Sequence, residues 1–264
     1  METGVGLTPA IDFRGNIDEA DIVYFPSERA ASGAQSEPAA QVIEAFRTSG
    51  VSFAIGWELI DVKDQPVLDQ LSSQAASARQ RSISRLELAG GGRAREHCRS
   101  VLNDPRLAPV HHIALRASES APESGPIENA AAPPHQPQPG MHFKPAPGGF
   151  EDFAARMTAA ETLNGSDLAT AYAARVRAQQ FAAEQIVRHF QSGAGGKLLV
   201  FLRSADLENG QGVPFYVAQK LSLRQLVLGP HLERSSATRL LTGASAGGRR
   251  FEVVDGAPAA AGHR

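Results

Sequence analysis

Five short apolar, β-favouring segments alternate with segments of helical periodicity, and this alternation constrains the fold more than any other feature. A strand, a helix and a second strand in this order form a βαβ unit, which requires parallel pairing and a right-handed crossover. The predicted strands are residues 21–25, 51–59, 110–115, 197–202 and 223–228. The sequence therefore predicts an α/β fold, in which helices flank a single mostly parallel sheet of about five strands.

Helical segments fill the intervals between these strands. Ser36, Glu37 and Pro38 favour a helix start, because they supply a capping hydroxyl, an early acid and a proline in the first turn. Further helices are predicted within residues 64–103, from about 167 to 191, and from 213 to 221.

Composition divides the chain into one domain with flexible additions. Residues 1–20 are a polar lead-in, and residues 21–230 carry the α/β pattern. Within that domain, residues 117–149 are rich in proline and poor in large apolar side chains, so they cannot bury enough surface to offset ordering entropy. We predict a disordered insert there and a loosely ordered tail over residues 231–264.

Charge and motif content exclude several classes of function. The 26 basic and 28 acidic side chains nearly cancel, so no bulk field attracts nucleic acid. Cys98 is the single cysteine, and no internal disulfide can form. The sequence shows no signal peptide and no apolar run that could span a membrane, which predicts a cytoplasmic protein. It carries no phosphate-binding loop, nucleophile elbow or His-Glu-x-x-His motif, and no signal for an oligomeric state.

Three strand ends carry a family resemblance, at the edge of a parallel sheet where ligand sites form. The segments are ADIVYFPSERAA, FAIGWEL and KLLVFLRSADLENGQGVPFYVAQKLSLRQLVL. In this order they resemble the ChaN-like haem-binding branch of the Tiki superfamily. That family has Gly-Glu-x-His after its first strand, a Gly-x-Glu-like motif at the end of the next, and later Gly-Asn-Gly-His before Gly-Val-Pro. The resemblance covers about half of the chain, and the Gly-Val-Pro turn is its most specific element.

The chain departs from the family at several motif positions. Glu28 and Glu58 match the two family acids, whereas Asp206 stands where the second histidine is expected. The other replacements are Ser27 for a glycine, Ala30 for the first histidine, Arg203 and Ala205 for glycines, and Gln179 for the acid of the preceding helix. The chain is thus identified as a degenerate member of the family.

The resemblance implies a candidate carboxylate site made of Glu28, Glu58 and Asp206. Oxygen ligands alone suit Mg²⁺ or Ca²⁺ better than zinc, and hydrolysis would need an open coordination position with an activated water. The structural alternative gives each acid a local role: Glu58 on backbone amides, Glu28 paired with Arg29, and Asp206 capping a turn.

The resemblance also makes haem a candidate cofactor, because relatives in this branch are associated with haem binding and iron uptake. Tyr24, His111 and His112 are the first candidates for its ligand. Other suitable donors are Tyr172, His189, Tyr216 and Cys98, and none lies in a Cys-x-x-Cys-His motif. Because neighbouring strand residues alternate faces, one of the two adjacent histidines should point inward and the other outward.

We expect a pseudoenzyme whose ancestral site has decayed, with a binding or accessory role in haem or iron handling. One alternative is a metal-dependent hydrolase that uses Glu28, Glu58 and Asp206. The other is a scaffold protein whose proline-rich insert and tail bind partners.

Overall fold

The computed structural model describes residues 17–27, 36–118, 143–144, 146, 148–159, 165–207, 212–228, 237–242 and 251–255. Within these ranges the strands belong to one sheet. The strands are β1 (Ile22–Pro26), β2 (Phe53–Asp61), β3 (His111–Arg116), β4 (Lys197–Leu202), β5 (Arg224–Val227), β6 (Ala237–Thr242) and β7 (Phe251–Asp255). The helices are α1 (Ser36–Thr48), α2 (Gln65–Gln70), α3 (Ala76–Arg85), α4 (Gly92–Asn103), α5 (Gly149–Ala159), α6 (Gly165–Gln191) and α7 (Val213–Ala218).

The sheet confirms the predicted α/β class. Its strand order is β3-β2-β4-β1-β5-β6-β7, and the first five strands pair in parallel. The central strands are in close register, with Tyr24 and Gly56 both level with Val200. β6 and β7 are not predicted from the sequence; they pair antiparallel and extend the sheet beyond β5.

Helices cover both faces of the sheet, so the parallel strands are buried on both sides. Val23 and Phe25 face a core formed with α1, α2, α3 and α4. Ile22 and Tyr24 face the opposite core, which is formed with α6 and α7. The carboxyl ends of β2 and β4 therefore meet at one edge of the sheet, between these two helical layers.

Residues 64–103 are not continuously helical, because the chain is extended between α3 and α4. Leu88 forms an isolated antiparallel bridge with Ile60 of β2. Gly90 then adopts a left-handed conformation with φ of 83°, and a Cβ there would lie 2.9 Å from Leu59 Cδ2. This glycine lets the chain turn against β2 before α4 begins.

The outer edge of β3 is covered by a side chain. Gln65 Nε2 donates to the carbonyl of His112 at 2.9 Å, and Gln65 Oε1 accepts from the amide of Ala114 at 2.7 Å. The amide group of Gln65 thus takes the place of a neighbouring strand and satisfies backbone groups that an edge strand leaves unpaired.

The predicted insert and tail lie largely outside the described residues. Residues 119–142 are not described, and α5 begins at Gly149, where the predicted insert ends. The domain boundaries stay predictions. Among the described helices, none is long and apolar enough to cross a membrane.

Replacing Gly90 with alanine tests the turn between α3 and α4. We expect Gly90→Ala to lower the free energy of unfolding by about 1–2 kcal/mol, because an L-residue is strained in the left-handed conformation. A chemical denaturation series measures this change. Gly92→Ala is the control: Gly92 begins α4 and a Cβ there meets nothing within 4 Å, so stability should be unchanged or slightly higher. Equal stability of the two variants would contradict the prediction.

Candidate functional site

An ion-paired cluster lies at the carboxyl ends of β2 and β4. Glu58 is in β2 one residue after Trp57, which is level with Phe201, and Arg203 directly follows β4. A single 3-10 turn, Ser204–Asp206, brings Asp206 back to the same place. The parallel pairing of β2 with β4 therefore brings together two of the acids that the sequence analysis selected.

Arg203 binds both of these acids. Its Nε donates to Glu58 Oε1 at 2.6 Å, and its backbone amide donates to Glu58 Oε2 at 2.6 Å. Its Nη2 lies 3.1 Å from Asp206 Oδ2. One guanidinium group thus compensates two carboxylates, at the position where the family resemblance predicts a glycine.

Asp206 is only 1% exposed, and its second oxygen has partners of its own. Gln179 Nε2 donates to Asp206 Oδ1 at 2.6 Å, and Arg175 Nε lies 3.3 Å from the same oxygen. Both residues belong to the central part of α6. A buried carboxylate is tolerated when it is paired and hydrogen-bonded in this way.

The glycine of the Gly-Val-Pro turn, Gly212, lies directly against the backbone of Asp206. A Cβ at Gly212 would overlap the backbone carbonyl of Asp206, so only glycine allows the chain to pass this close. The turn then enters α7, where Pro214 occupies the first turn.

Burial, and to a smaller extent the negative charge of Asp206, raise the pKa of Glu58 to about 7. Arg203 acts in the opposite direction through its charge and its two hydrogen bonds. Glu58 therefore gains or loses its proton near neutral pH.

A small cleft, partly open to solvent, lies beside Asp206 between α5, α6 and α7. Its lining residues are Ala146, Gly149, Phe153, Arg156, Tyr172, Arg175, Gln179, Gly212 and Tyr216. Arg175 and Gln179 belong to both the cleft wall and the Asp206 cluster. The cleft thus combines two guanidinium groups with two phenols next to the candidate site.

Tyr172 is held in the cleft by aromatic neighbours. Its ring lies 5.4 Å from the ring of Phe150 and 5.5 Å from that of Phe153. A Cβ at Gly149 would be 2.5 Å from Tyr172 Oη, so the missing side chain leaves room for the hydroxyl. Burial and the charge of Glu151 raise the Tyr172 pKa, and Arg175 counteracts this rise.

The predicted metal ligands are only partly brought together. Glu28 lies outside the described residues, and Glu58 and Asp206 share Arg203. Across the part of the chain that the structure describes, no group of three His, Cys, Asp or Glu side chains could hold a metal ion. The carboxylates present therefore do not fit a metal centre, because a guanidinium already compensates their charge.

The three haem candidates of the sequence analysis do not lie together. Tyr24 is fully buried in the sheet, and its hydroxyl donates to Gln225 Oε1 at 2.6 Å. His112 is also buried, and its Nδ1 accepts from Trp57 Nε1 at 3.2 Å, while desolvation lowers its pKa to about 3. His111 is exposed, which confirms the alternation predicted for the two histidines.

Arg156 and Arg175 were not selected from the sequence, although a signal for Arg175 exists. Tyr172, Arg175 and Gln179 follow a spacing of three and four residues, which places them on one face of α6. These three residues lie in the early and central turns of α6. A helix that precedes a parallel strand begins at the carboxyl edge of the sheet, so these turns lie near the candidate site.

No protein-family model and no curated protein matches the sequence. Among solved structures, the chain is similar to ChaN of Campylobacter jejuni, described with cofacial haem binding, at a TM-score of 0.58 and 12% identity. That match covers 83% of this chain and 84% of the other. The type III effector HopBA1 matches at a TM-score of 0.46 and 12% identity, over 88% of this chain and 86% of the effector. The chain thus has a ChaN-like fold.

Glu58→Gln tests the raised pKa of Glu58 through stability. The folded pKa is about 7 and the ordinary value is 4.5, so the folded state holds this proton more tightly than the unfolded state. The proton's contribution is present below the ordinary pKa and is lost as pH rises toward the folded value. We expect the unfolding free energy of Glu58→Gln to rise relative to the wild type, by on the order of 2 kcal/mol between about pH 5 and pH 8.

Glu87→Gln is the matched control for this measurement. Glu87 is exposed and pairs with Lys63 at 2.8 Å, and this hydrogen bond and charge lower its pKa. Its variant should differ from the wild type by a nearly constant amount over the same pH range. Parallel pH profiles of wild type and Glu58→Gln in chemical denaturation would contradict the prediction.

Proposed function

We propose that this chain is a degenerate member of the ChaN-like family that binds a small anionic ligand, with haem as the candidate, and does not catalyse hydrolysis. The observation that carries the proposal is the position of Arg203, whose guanidinium contacts both Glu58 and Asp206. The acids that the resemblance assigns to the ancestral site are therefore compensated from within the chain.

The chemistry of arginine supports a binding role over a hydrolytic one. Metal-dependent hydrolysis requires an ion with an open coordination position and a bound water of lowered pKa. A guanidinium stays protonated and offers no coordination position, so it cannot replace the ion in that reaction. It can supply the positive charge that the ion would provide, and this charge offsets the cost of placing two carboxylates side by side in the folded protein.

The donor set of the cleft supports an anionic ligand with an aromatic body. Arg156 and Arg175 can bind carboxylates through paired hydrogen bonds. Tyr172 supplies a phenol oxygen, a known type of haem-iron ligand, and its aromatic neighbours can contact a planar ring.

Haem is the specific candidate because the ChaN structure from Campylobacter jejuni is described with haem bound. The cleft itself has room for little more than a water molecule. A ligand as large as haem would therefore extend from the cleft over the neighbouring surface.

Haem titration tests this proposal, with the three tyrosines of the chain compared by the same substitution. We expect haem to produce a shifted Soret band with the wild type, and Tyr172→Phe to weaken binding by at least about tenfold because the iron ligand is lost. Tyr24→Phe should keep the wild-type spectrum, since its hydroxyl is buried in the sheet. Tyr216→Phe, which also lines the cleft, should have a smaller effect than Tyr172→Phe because Tyr216 is buried. A spectrum that changes only with Tyr24→Phe would place the ligand in the sheet and contradict the cleft.

Arg156→Gln and Arg177→Gln test the anionic contact. Arg156 lines the cleft, whereas Arg177 is an exposed residue of α6 that does not. Haem affinity should fall about three- to tenfold with Arg156→Gln, because a charge-assisted hydrogen bond is lost, and should not change with Arg177→Gln. Wild-type protein that gives no Soret shift at all would overturn haem as ligand and favour the scaffold alternative.

Arg203→Gly tests whether the arginine takes the place of a metal ion. This substitution introduces the family residue and leaves two buried acids without their shared partner, which should lower the thermal midpoint. Millimolar Mg²⁺ should partly restore the midpoint of the variant and leave that of the wild type unchanged. Calorimetry measures both values.

Arg203→Gly combined with Glu58→Gln is the control, because the second change removes one of the two carboxylates that would bind Mg²⁺. We expect little restoration by Mg²⁺ in this double variant. A wild-type protein that is itself stabilised by Mg²⁺ would favour the hydrolase alternative instead.

A further inference from the structure

Two histidines face each other at the amino edge of the sheet, at the opposite end of α6 from the cleft. His111 begins β3, and His189 lies in the last turns of α6. Their ring centroids are 5.9 Å apart and their planes differ by 24°. Because α6 runs antiparallel to the strands, its last turns lie at the amino edge of the sheet, opposite the Arg203 cluster.

The imidazole of His189 is buried, and one of its ring nitrogens lacks a hydrogen-bond partner among the described residues. His189 is 8% exposed, and its Nε2 has no hydrogen-bond partner among the described residues. An unsatisfied buried nitrogen is unfavourable, so native proteins rarely keep one without a ligand, an ion or a function.

His111, unlike His189, is open to solvent, and a carboxylate lies next to its ring. Its side chain is 52% exposed, and its Nε2 lies 3.5 Å from Asp69 Oδ1. Asp69 is in turn held by Gln65 Nε2 at 2.7 Å. A carboxylate next to one ring nitrogen is the usual arrangement around a histidine whose other nitrogen binds a metal.

The distance between the rings fits a shared ion. Two imidazoles that bind one ion at about 2.0–2.1 Å have ring centres about 5–6 Å apart. Desolvation and the nearby His111 lower the pKa of His189, which disfavours the protonated ring.

We propose that His111 and His189 together bind one divalent transition-metal ion, such as Zn²⁺, Ni²⁺ or Cu²⁺. Asp69 orients His111 from the outer shell, and water completes the coordination. Imidazole ligands favour these ions over Mg²⁺ and Ca²⁺. The site is independent of the cleft and of the proposed haem ligand.

Isothermal titration of the full chain with Ni²⁺ and Zn²⁺ at neutral pH tests the site. We expect one binding equivalent that His111→Gln and His189→Gln each weaken by at least about tenfold. The double variant should lose this equivalent, because both side chains bind the same ion. His97→Gln, which removes a histidine from α4 near Trp57 and Phe201, should leave this equivalent unchanged.

Circular dichroism checks that each variant is folded, and the half-exposed His111 provides a substitution that does not disturb the core. Two binding equivalents, of which each single variant loses one, would place the two histidines on different ions and overturn the proposal. Ion binding that is the same in wild type and His111→Gln, or no binding by the wild type, would overturn it as well.

Discussion

The pairing of Arg203 with Glu58 and Asp206 is the interaction on which the carboxyl edge of the sheet depends. Asp206 is nearly inaccessible to water, and an ionised carboxylate in that environment is strongly unfavourable unless cations and donors surround it. Arg203 supplies its cation from the end of β4, while Gln179 and Arg175 complete the cluster from α6. The cluster therefore holds together the end of β4, the turn Ser204–Asp206 and α6.

This cluster also shapes the neighbouring cleft. Arg175 and Gln179 extend from α6 toward Asp206, and the same two side chains form part of the cleft wall. Gly212 lies against the backbone of Asp206 and contributes to the opposite wall. A change that released Asp206 would thus alter the cleft without touching Tyr172 or Arg156.

The parallel strands could be predicted from the sequence because burial on both faces requires continuous apolar runs, as in Lys197–Leu202. The approach of Glu58 to Asp206 followed from the same topology, since parallel strands end at a common edge. Arg203 could not be assigned its role in this way, because sequence alone does not tell whether an arginine at a strand end points to solvent or to buried acids. The break at Gly90 depends on contact with Leu59 in a distant strand, and helical periodicity carries no signal for it.

Within a fold similar to that of ChaN, at 12% identity, Glu58 and Asp206 of this chain lie close enough together to require positive charge. Acids at the carboxyl edge need a cation for the folded state to be stable, and either a metal ion or a guanidinium meets that electrostatic need. Only the metal ion also activates water. Arg203 at the end of β4 can therefore stabilise this edge of the sheet without supplying that chemistry.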